Sequence, residues 1–291
     1  MYQVSLHEAR VGMVLAENVM TEDGQHLLLK AGQVLNRTMI QKLADREIML
    51  ISVADIYSLQ INPIDQMQIV LEKAYQDAIH KYSSPQLVGN KRDDIPKIVK
   101  AMYENISYIC KDEMILNYCL QMRMVKTRNL FQKAVETSVF SGLLAGVYGC
   151  NTNDIYNIMV GGLLHDSGCL EMVFLIGKAQ KTPQEELLWK EHPTYGYYFA
   201  IQNNFSREMA EIIQYHEEHI DGSGYPKQLK GEAIPLGARI VAICSNITES
   251  IVYHGMKPYE ALEVLNGLSE EVFDSKLVEL FADTIAFYNV G

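Results

Sequence analysis

The stretch YHEEHIDGSGYP, residues 215–226, carries a dense set of chemically active side chains in this 291-residue chain. It combines two histidines with three carboxylates and then changes to Gly, Ser, Tyr and Pro. Aspartate, glycine, serine and proline favour turns, because they hydrogen-bond their own backbone or supply unusual backbone angles. The stretch therefore predicts the end of a helix near His216, followed by a loop.

Two further histidine motifs precede this stretch. LLHDSG occupies residues 163–168 and EHPTYG occupies residues 191–196, and five of the eight histidines lie between residues 165 and 254. Imidazole and carboxylate side chains from several helices can converge on one pocket in the core of a helical bundle. Such a set of donors suits a borderline divalent ion such as Zn²⁺, Mn²⁺ or Fe²⁺.

Each motif also has a plainer interpretation. A single His-Asp pair on a helix is more often a local hydrogen bond than a metal site, and His192 before Pro193 is typical of a helix boundary. The segment 221–226 is a good loop from its turn residues alone. The functional interpretation therefore depends on the three motifs taken together.

In this order and spacing, the motifs HDxG, HPxxG and HxExxDGxGYP resemble those of the HD-GYP domain, a branch of the HD metallophosphohydrolases. The resemblance covers about residues 127–288, and the segment 1–60 is similar to the small β-rich unit often found before such domains. It implies a mostly α fold, in which a helical HD-type bundle follows a small β-rich N-terminal domain. It also implies two or three bound metal ions and the hydrolysis of cyclic di-GMP, a bacterial second messenger.

Carried over residue by residue, the resemblance implies a metal site, a catalytic group and a substrate-binding loop. The implied metal ligands are His165, Asp166, His192, His216 and Glu217. Asp166 is also the implied catalytic carboxylate. The implied substrate-binding residues are Gly224, Tyr225 and Pro226.

Several positions depart from the family pattern. Where the family has an early histidine, a lysine, a second histidine and a closing aspartate, this chain has Val135, Cys169, Glu217 and Ser245. The segment 252–259 also lacks the arginine of the family's phosphate-contact segment. Because Val135 and Ser245 are poor metal donors, we expect at most one divalent ion (Fe, Mn or Zn), with Asp166, His192, His216 and Glu217 as its ligands.

The chain changes character near residue 63. Before it, strand-like runs at 14–20, 26–30 and 48–53 accompany an Asp23-Gly24 hairpin signal and a helical pattern at 38–47. After it, apolar residues recur with helical spacing. This pattern predicts a β-rich domain at 1–60, linking helices at 61–125 and a helical domain at 126–291. Within the last domain, helices are expected near 129–148, 154–166, 184–203, 206–217, 237–253, 258–267 and 274–288.

Composition limits the partners and the compartment. The chain is 48% hydrophobic and 21% charged, with a net charge of −11. These values are ordinary for a soluble globular protein, and the acidic balance disfavours general binding to nucleic acid or anionic membranes. Five scattered cysteines are typical of reduced thiols, the start has no signal-peptide pattern, and no run approaches the ~18 apolar residues of a membrane span. We therefore expect a cytoplasmic protein.

Three functions remain open at this stage. The first is a module of cyclic di-GMP signalling that binds a cyclic dinucleotide or a protein partner, as a monomer or a homodimer, with absent or weak phosphodiesterase activity. The second is an active metal-dependent phosphodiesterase that uses the reduced metal site. The third is a structural interaction domain without metal. We favour the first, because loss of paired cations removes charge stabilisation that phosphodiester hydrolysis needs.

Overall fold

The computed structural model describes residues 2–9, 11, 13–21, 26–53, 63–82, 94–125, 129–178, 180–269 and 271–284. The expected fold class is confirmed, because the chain is mostly helical with a small N-terminal strand region. The strands are β1 (Tyr2–Ser5), β2 (Val19–Met20), β3 (Leu27–Leu29) and β4 (Leu50–Val53). The α-helices are α1 (Arg37–Ala44), α2 (Pro63–Tyr82), α3 (Ile95–Ile109), α4 (Glu113–Met124), α5 (Leu130–Tyr148), α6 (Thr152–Leu164), α7 (Pro183–Trp189), α8 (His192–Gln202), α9 (Arg207–Tyr215), α10 (Leu236–Val252), α11 (Pro258–Gly267) and α12 (Ser275–Thr284).

The N-terminal strands form a small unit with its own apolar core. β1 pairs antiparallel with β4, and β2 pairs antiparallel with β3. Asn36 begins α1, since its side chain accepts a hydrogen bond from the Met39 N–H at 2.7 Å and so satisfies a donor that the helix leaves unpaired. The buried core residues of this unit are Val4, Leu6, Leu15, Val19, Leu35, Leu43, Ile51 and Val53.

Part of the predicted strand pattern is wrong. The run 14–20 forms only the two-residue strand β2, because the chain bends at residues 16–17 and leaves Val14 and Leu15 in isolated bridges. The sequence pattern also missed β1, whose partner β4 lies far along the chain. The Asp23-Gly24 hairpin signal lies outside the described residues.

Helices α2, α3, α4, α6, α10 and α12 pack against α5. Buried residues from α2 to α12 form one continuous apolar cluster, and within it Val139, Phe140 and Leu144 of α5 are completely buried. α5 packs against α6 and α10, so the C-terminal end of α6 and the buried face of α10 lie close to side chains of α5. The histidine motifs lie in this region. The domain boundaries near residues 60 and 125 stay predictions.

The predicted helix at 184–203 is two helices, α7 and α8. Thr182 and Glu185 form a capping box at the start of α7. Pro193 stands in the first turn of α8, where its missing N–H interrupts no helical hydrogen bond, so a new helix begins at His192. A 3₁₀ segment, Ser167–Leu175, follows α6 and was not predicted. Positions 285–288 of the predicted last helix lie outside the described residues.

One helical stretch among the described residues is long and apolar enough to cross a membrane. It runs over Thr152–Leu175, with a mean hydropathy of 1.4. However, 72% of the tested window is buried inside the protein. Core helices of folded domains have the same property, so this stretch is weak support for a membrane span.

Candidate functional site

The three histidine motifs meet at the ends of three helices. His165 caps the C-terminus of α6, His192 is the first residue of α8, and His216 caps the C-terminus of α9. All three side chains are buried. Gly168 allows the turn after Asp166 to lie directly on α8, since a Cβ at this position would lie 1.9 Å from the His192 carbonyl oxygen. The fold therefore brings residues that are distant in sequence to one buried point.

One side of this point, which we call the imidazole side, consists of Asp166 Oδ1, His192, His216 and Glu217. His192 Nε2 lies 3.3 Å from His216 Nε2 and 3.6 Å from Asp166 Oδ1. His216 Nε2 lies 3.8 Å from the same oxygen. Glu217 Oε1 lies 3.8 Å from each of the two ring nitrogens. Four potential ligand atoms thus surround one small volume.

Backbone carbonyls fix the orientation of both rings on the imidazole side. His192 Nδ1 donates to Trp189 O at 2.9 Å, and His216 Nδ1 donates to Ile213 O at 2.7 Å. Burial lowers the pKa of His192 to about 4 and holds the pKa of His216 well below its ordinary value, so both rings are neutral near pH 7. A neutral ring that donates through Nδ1 has a lone pair at Nε2, so two lone pairs face each other. A cation between them makes this arrangement favourable, as in metal-binding histidine sites.

The other side of Asp166, which we call the ammonium side, consists of Asp166 Oδ2, Lys133, His165, Ser245 and Glu249. Lys133 Nζ donates to Asp166 Oδ2 at 2.8 Å and lies 3.5 Å from Glu249 Oε2. His165 Nε2 lies 3.1 Å from Asp166 Oδ2 and 3.2 Å from Ser245 Oγ. Burial opposes both charges, but Asp166 and Glu249 raise the pKa of Lys133, while His165 and Lys133 hold the pKa of Asp166 well below its ordinary value. The ammonium–carboxylate pair is therefore ionised at neutral pH.

The predicted position of the early ligand on α5 is wrong. Val135 is 2% exposed and lines a different cavity, together with Ala74 and Phe131. Lys133, two residues earlier, is the α5 side chain that reaches Asp166. Two residues turn an α-helix by about 200°, so Val135 faces nearly the opposite direction. The available signal was that Lys133 is the only basic residue of α5.

Two of the substituted positions also lie at the site. Ser245 of α10 contacts His165, as described above. Cys169 Sγ lies 3.9 Å from Asp166 Oδ1, and the potential ligand atoms of Cys169, Asp166 and His192 all lie within 4.8 Å of one another. The sequence interpretation treated Cys169 only as a lost lysine and so missed a potential sulfur donor.

The GYP loop packs against the imidazole side. Gly224 lies so close to the preceding turn that a Cβ would be 2.3 Å from the His219 N atom. The Tyr225 N–H donates to the Glu217 carbonyl oxygen at 3.0 Å, and its ring centroid lies 6.3 Å from that of His192. Burial raises the pKa of Glu217 to about 7. Pro226 follows Tyr225 through a cis peptide bond.

Two cavities adjoin the cluster and share Glu217 and Glu249 in their walls. One has a volume of about 240 Å³, and the site residues in its lining are Lys133, Asp166, Cys169, His192, Glu217 and Glu249. Its lining also includes the cation of Lys181 and the rings of Trp189 and Tyr253. The other has a volume of about 270 Å³ and is lined in part by His216, Ser245 and Asn246. Positive charge and flat rings beside a cluster of metal donors are features that suit a phosphorylated aromatic ligand.

Comparisons with known proteins agree with this geometry. The family model described as HD domain matches residues 120–277. A cyclic di-GMP phosphodiesterase response regulator of Xanthomonas campestris is 33% identical over 48% of this chain and 39% of its own length. A 3'3'-cGAMP-specific phosphodiesterase of Vibrio cholerae is 30% identical over 60% of this chain and 42% of its own length. The matched region thus spans about two fifths of the length of these relatives.

A solved structure supports the fold over almost the whole chain. It is an HDG"Y"P protein of Bdellovibrio bacteriovorus that covers 97% of this chain, with 98% of its own length covered, at a TM-score of 0.51 and 18% identity. At that identity the likeness shows the fold alone. The family model, by contrast, matches more than half of the chain and spans the three motifs that carry the resemblance. This chain therefore belongs to the HD domain family.

Proposed function

We propose that this chain is a metal-dependent cyclic dinucleotide-binding module of second-messenger signalling, with weak or absent phosphodiesterase activity. The observation that carries the proposal is the imidazole side, where two buried imidazoles lie 3.3 Å apart and each lies 3.6–3.8 Å from two partly buried carboxylates. The names of the relatives support a cyclic dinucleotide as the ligand class. A protein partner and a homodimer remain predictions.

The residues of the imidazole side fit one divalent ion. Four-coordinate ligation with bonds of about 2.0–2.2 Å separates the ligand atoms by about 3.3–3.6 Å. The five separations that involve a ring nitrogen are 3.3–3.8 Å and need to contract by only a few tenths of an ångström. Two neutral imidazoles and two carboxylates form a donor set that suits Zn²⁺, Mn²⁺ or Fe²⁺. When bound, such an ion would polarise a phosphoryl oxygen and lower the pKa of a bound water.

The protein's own side chains would provide the rest of the binding site. Lys133 and Lys181 line the cavity beside the imidazole side, and their positive charge would attract a phosphodiester despite the acidic chain. Trp189 lines the same cavity, and a purine base could stack on its ring in place of the Lys181 ammonium, which lies 4.7 Å from the ring centroid. Tyr225 and the carbonyls that hold His192 and His216 would keep the ligand atoms oriented.

Weak catalysis is expected because several charged groups that the resemblance implies are replaced. Cys169 and Ser245 stand where the family has a lysine and an aspartate. Removing one group that stabilises developing charge typically costs about 10²–10³ in rate. The runner-up function is an active phosphodiesterase that works with a single ion, and the intact cluster of metal donors favours it over a purely structural domain.

The test is elemental analysis of protein purified without chelator, followed by binding and hydrolysis assays with cyclic di-GMP and 3'3'-cGAMP in added Mn²⁺ or Fe²⁺. We expect one ion per chain, binding that depends on the ion, and turnover below the common enzyme range of about 1–10³ s⁻¹. The His192→Ala variant should bind neither the metal ion nor the cyclic dinucleotides. The control is His254→Ala, since His254 is an exposed histidine after α10.

Two outcomes would contradict this proposal, and each would support one of the other two functions. Turnover within the common range, abolished by His192→Ala, would establish the active phosphodiesterase. Folded wild-type protein that takes up no ion and binds neither nucleotide would establish the structural domain.

A further inference from the structure

The ammonium side contains a buried cation that belongs to the protein itself. The Lys133 side chain is 6% exposed and lies between two carboxylates, with Nζ 2.8 Å from Asp166 Oδ2 and 3.5 Å from Glu249 Oε2. Its Nζ also lies 5.8 Å from the centroid of the Tyr253 ring. Burying an ammonium is costly unless it is paired and hydrogen-bonded. The surroundings of Lys133 are therefore built to hold a cation.

The two oxygens of the Asp166 carboxylate have different neighbours, and the Lys133 ammonium contacts only one of them. Oδ1 faces the two neutral rings of the imidazole side, at 3.6 and 3.8 Å. Oδ2 faces Lys133 and His165, at 2.8 and 3.1 Å. A single carboxylate therefore bridges two cation-binding positions, one of them filled by a side chain.

We infer that the Lys133 ammonium is a built-in cation that occupies the position of a second divalent ion, so that the site works with one exchangeable metal and one fixed ammonium. Two carboxylate oxygens contact Nζ, the His165 ring nitrogen lies 3.1 Å from one of them, Asp166 Oδ2, and the Ser245 hydroxyl lies 3.2 Å from that nitrogen. Without the ammonium, these groups would form a donor set for a metal ion. This inference rests on the proposed function in one respect, namely that the imidazole side holds a metal ion.

An ammonium in the position of a metal ion changes the chemistry of the site. A lysine ammonium has three donors and no acceptor, so it can neutralise a phosphoryl oxygen and donate hydrogen bonds to it. It has no coordinated water, so it cannot supply hydroxide as a second metal ion does. A site with one ammonium in place of one metal thus retains charge for binding a phosphodiester and loses part of the two-metal clamp for cleaving it.

The test is Mn²⁺ titration of the folded full-length chain and its Lys133→Gln variant, with metal per chain and electron paramagnetic resonance as readouts. Without the ammonium, Asp166 and Glu249 lose its positive charge and should recruit a second ion. We expect wild-type protein to bind one ion with a mononuclear spectrum. Lys133→Gln should bind two ions with the spectrum of a spin-coupled pair, because Asp166 would bridge them.

Two variants serve as controls. Lys133→Arg keeps the positive charge and should stay at one ion. Lys181→Gln removes a cation that lines the same cavity but lies 4.7 Å from the centroid of the Trp189 ring, and it should also stay at one ion. If Lys133→Gln does not fold, Lys133→His, which supplies a ligand atom at the same position, takes its place in the titration.

The outcomes separate this inference from the proposed function. One ion in both the wild type and the folded Lys133→Gln variant would overturn the inference and leave the proposed function standing. No ion in the wild type would overturn the proposed metal site and, with it, the exchangeable metal of this inference. An ion gained only by the variant would then still show that the ammonium occupies a cation position, and no ion in either protein would overturn that as well. A second ion already present in wild-type protein would overturn the inference directly.

Discussion

The two oxygens of the Asp166 carboxylate face two different chemical environments. On the imidazole side, two neutral rings direct lone pairs at each other 3.3 Å apart, which favours an exchangeable cation. On the ammonium side, Lys133 provides a cation that is covalently part of the chain, 2.8 Å from the carboxylate. The comparison shows one carboxylate between a set of possible metal donors and a cation of the chain itself. We therefore expect the number of ions that the site binds to depend on what already neutralises its carboxylates.

The largest expected effect comes from removing the carboxylate that both sides share. Asp166→Asn should abolish metal binding on the imidazole side and leave Lys133 without its closest partner on the ammonium side. Breaking a buried ion pair by removing one partner typically costs about 3–5 kcal/mol. Urea unfolding of metal-free protein should show a loss of this size, and added Mn²⁺ should no longer raise the melting temperature.

The matched control for this prediction is Asp274→Asn. Asp274 accepts a hydrogen bond from Arg239 at 2.6 Å, with both side chains 17% exposed. Its loss should also destabilise the protein, but the gain in melting temperature with Mn²⁺ should remain. If Asp166→Asn loses no more stability than an exposed pair, about 0–1 kcal/mol, the ammonium side is not the buried pair described above.

A smaller effect is expected at the edge of the imidazole side. Cys169 Sγ lies 3.9 Å from Asp166 Oδ1, and thiolates favour Zn²⁺ over harder ions. Cys169→Ser should therefore weaken Zn²⁺ binding by about 10–100-fold, the range typical for losing a group that supports a metal site, and should change Mn²⁺ binding less. Competition titrations measure both affinities.

Cys244→Ser is the control for the cysteine, since Cys244 is likewise buried. Equal losses of Zn²⁺ and Mn²⁺ affinity in Cys169→Ser would show that the sulfur acts through packing. An unchanged Zn²⁺ affinity would remove Cys169 from the set of donors.

The sequence predicted the imidazole side better than the ammonium side, for a physical reason. Asp166, His192 and His216 stand in short motifs at helix ends, where local spacing identifies each residue. Lys133 lies in a segment without a recognisable motif, 33 residues before Asp166. Only the packing of α5 on α6 brings the two residues together. An error of two residues along α5 selected Val135, which the helix turns toward a different cavity.

For the fold as well, the sequence predicted the elements that depend on local patterns better than those that depend on distant contacts. Helical periodicity was enough to find the helices that build the core, including α5, α6 and α10. It did not find the break between α7 and α8, where α7 ends at Trp189 and Pro193 stands in the first turn of α8. It also missed β1, because the pairing of this strand depends on β4 rather than on its own pattern.

Anomalous X-ray diffraction from crystals of the wild-type chain soaked in Mn²⁺ would locate the bound ions directly. We expect one anomalous peak, between His192 Nε2, His216 Nε2 and Asp166 Oδ1, with the Lys133 ammonium still within hydrogen-bond distance of Asp166 Oδ2. A second peak among Asp166 Oδ2, His165 and Glu249, with Lys133 displaced, would show that the ammonium does not replace a metal ion. The absence of any peak beside the two rings at saturating Mn²⁺ would contradict the proposed metal site.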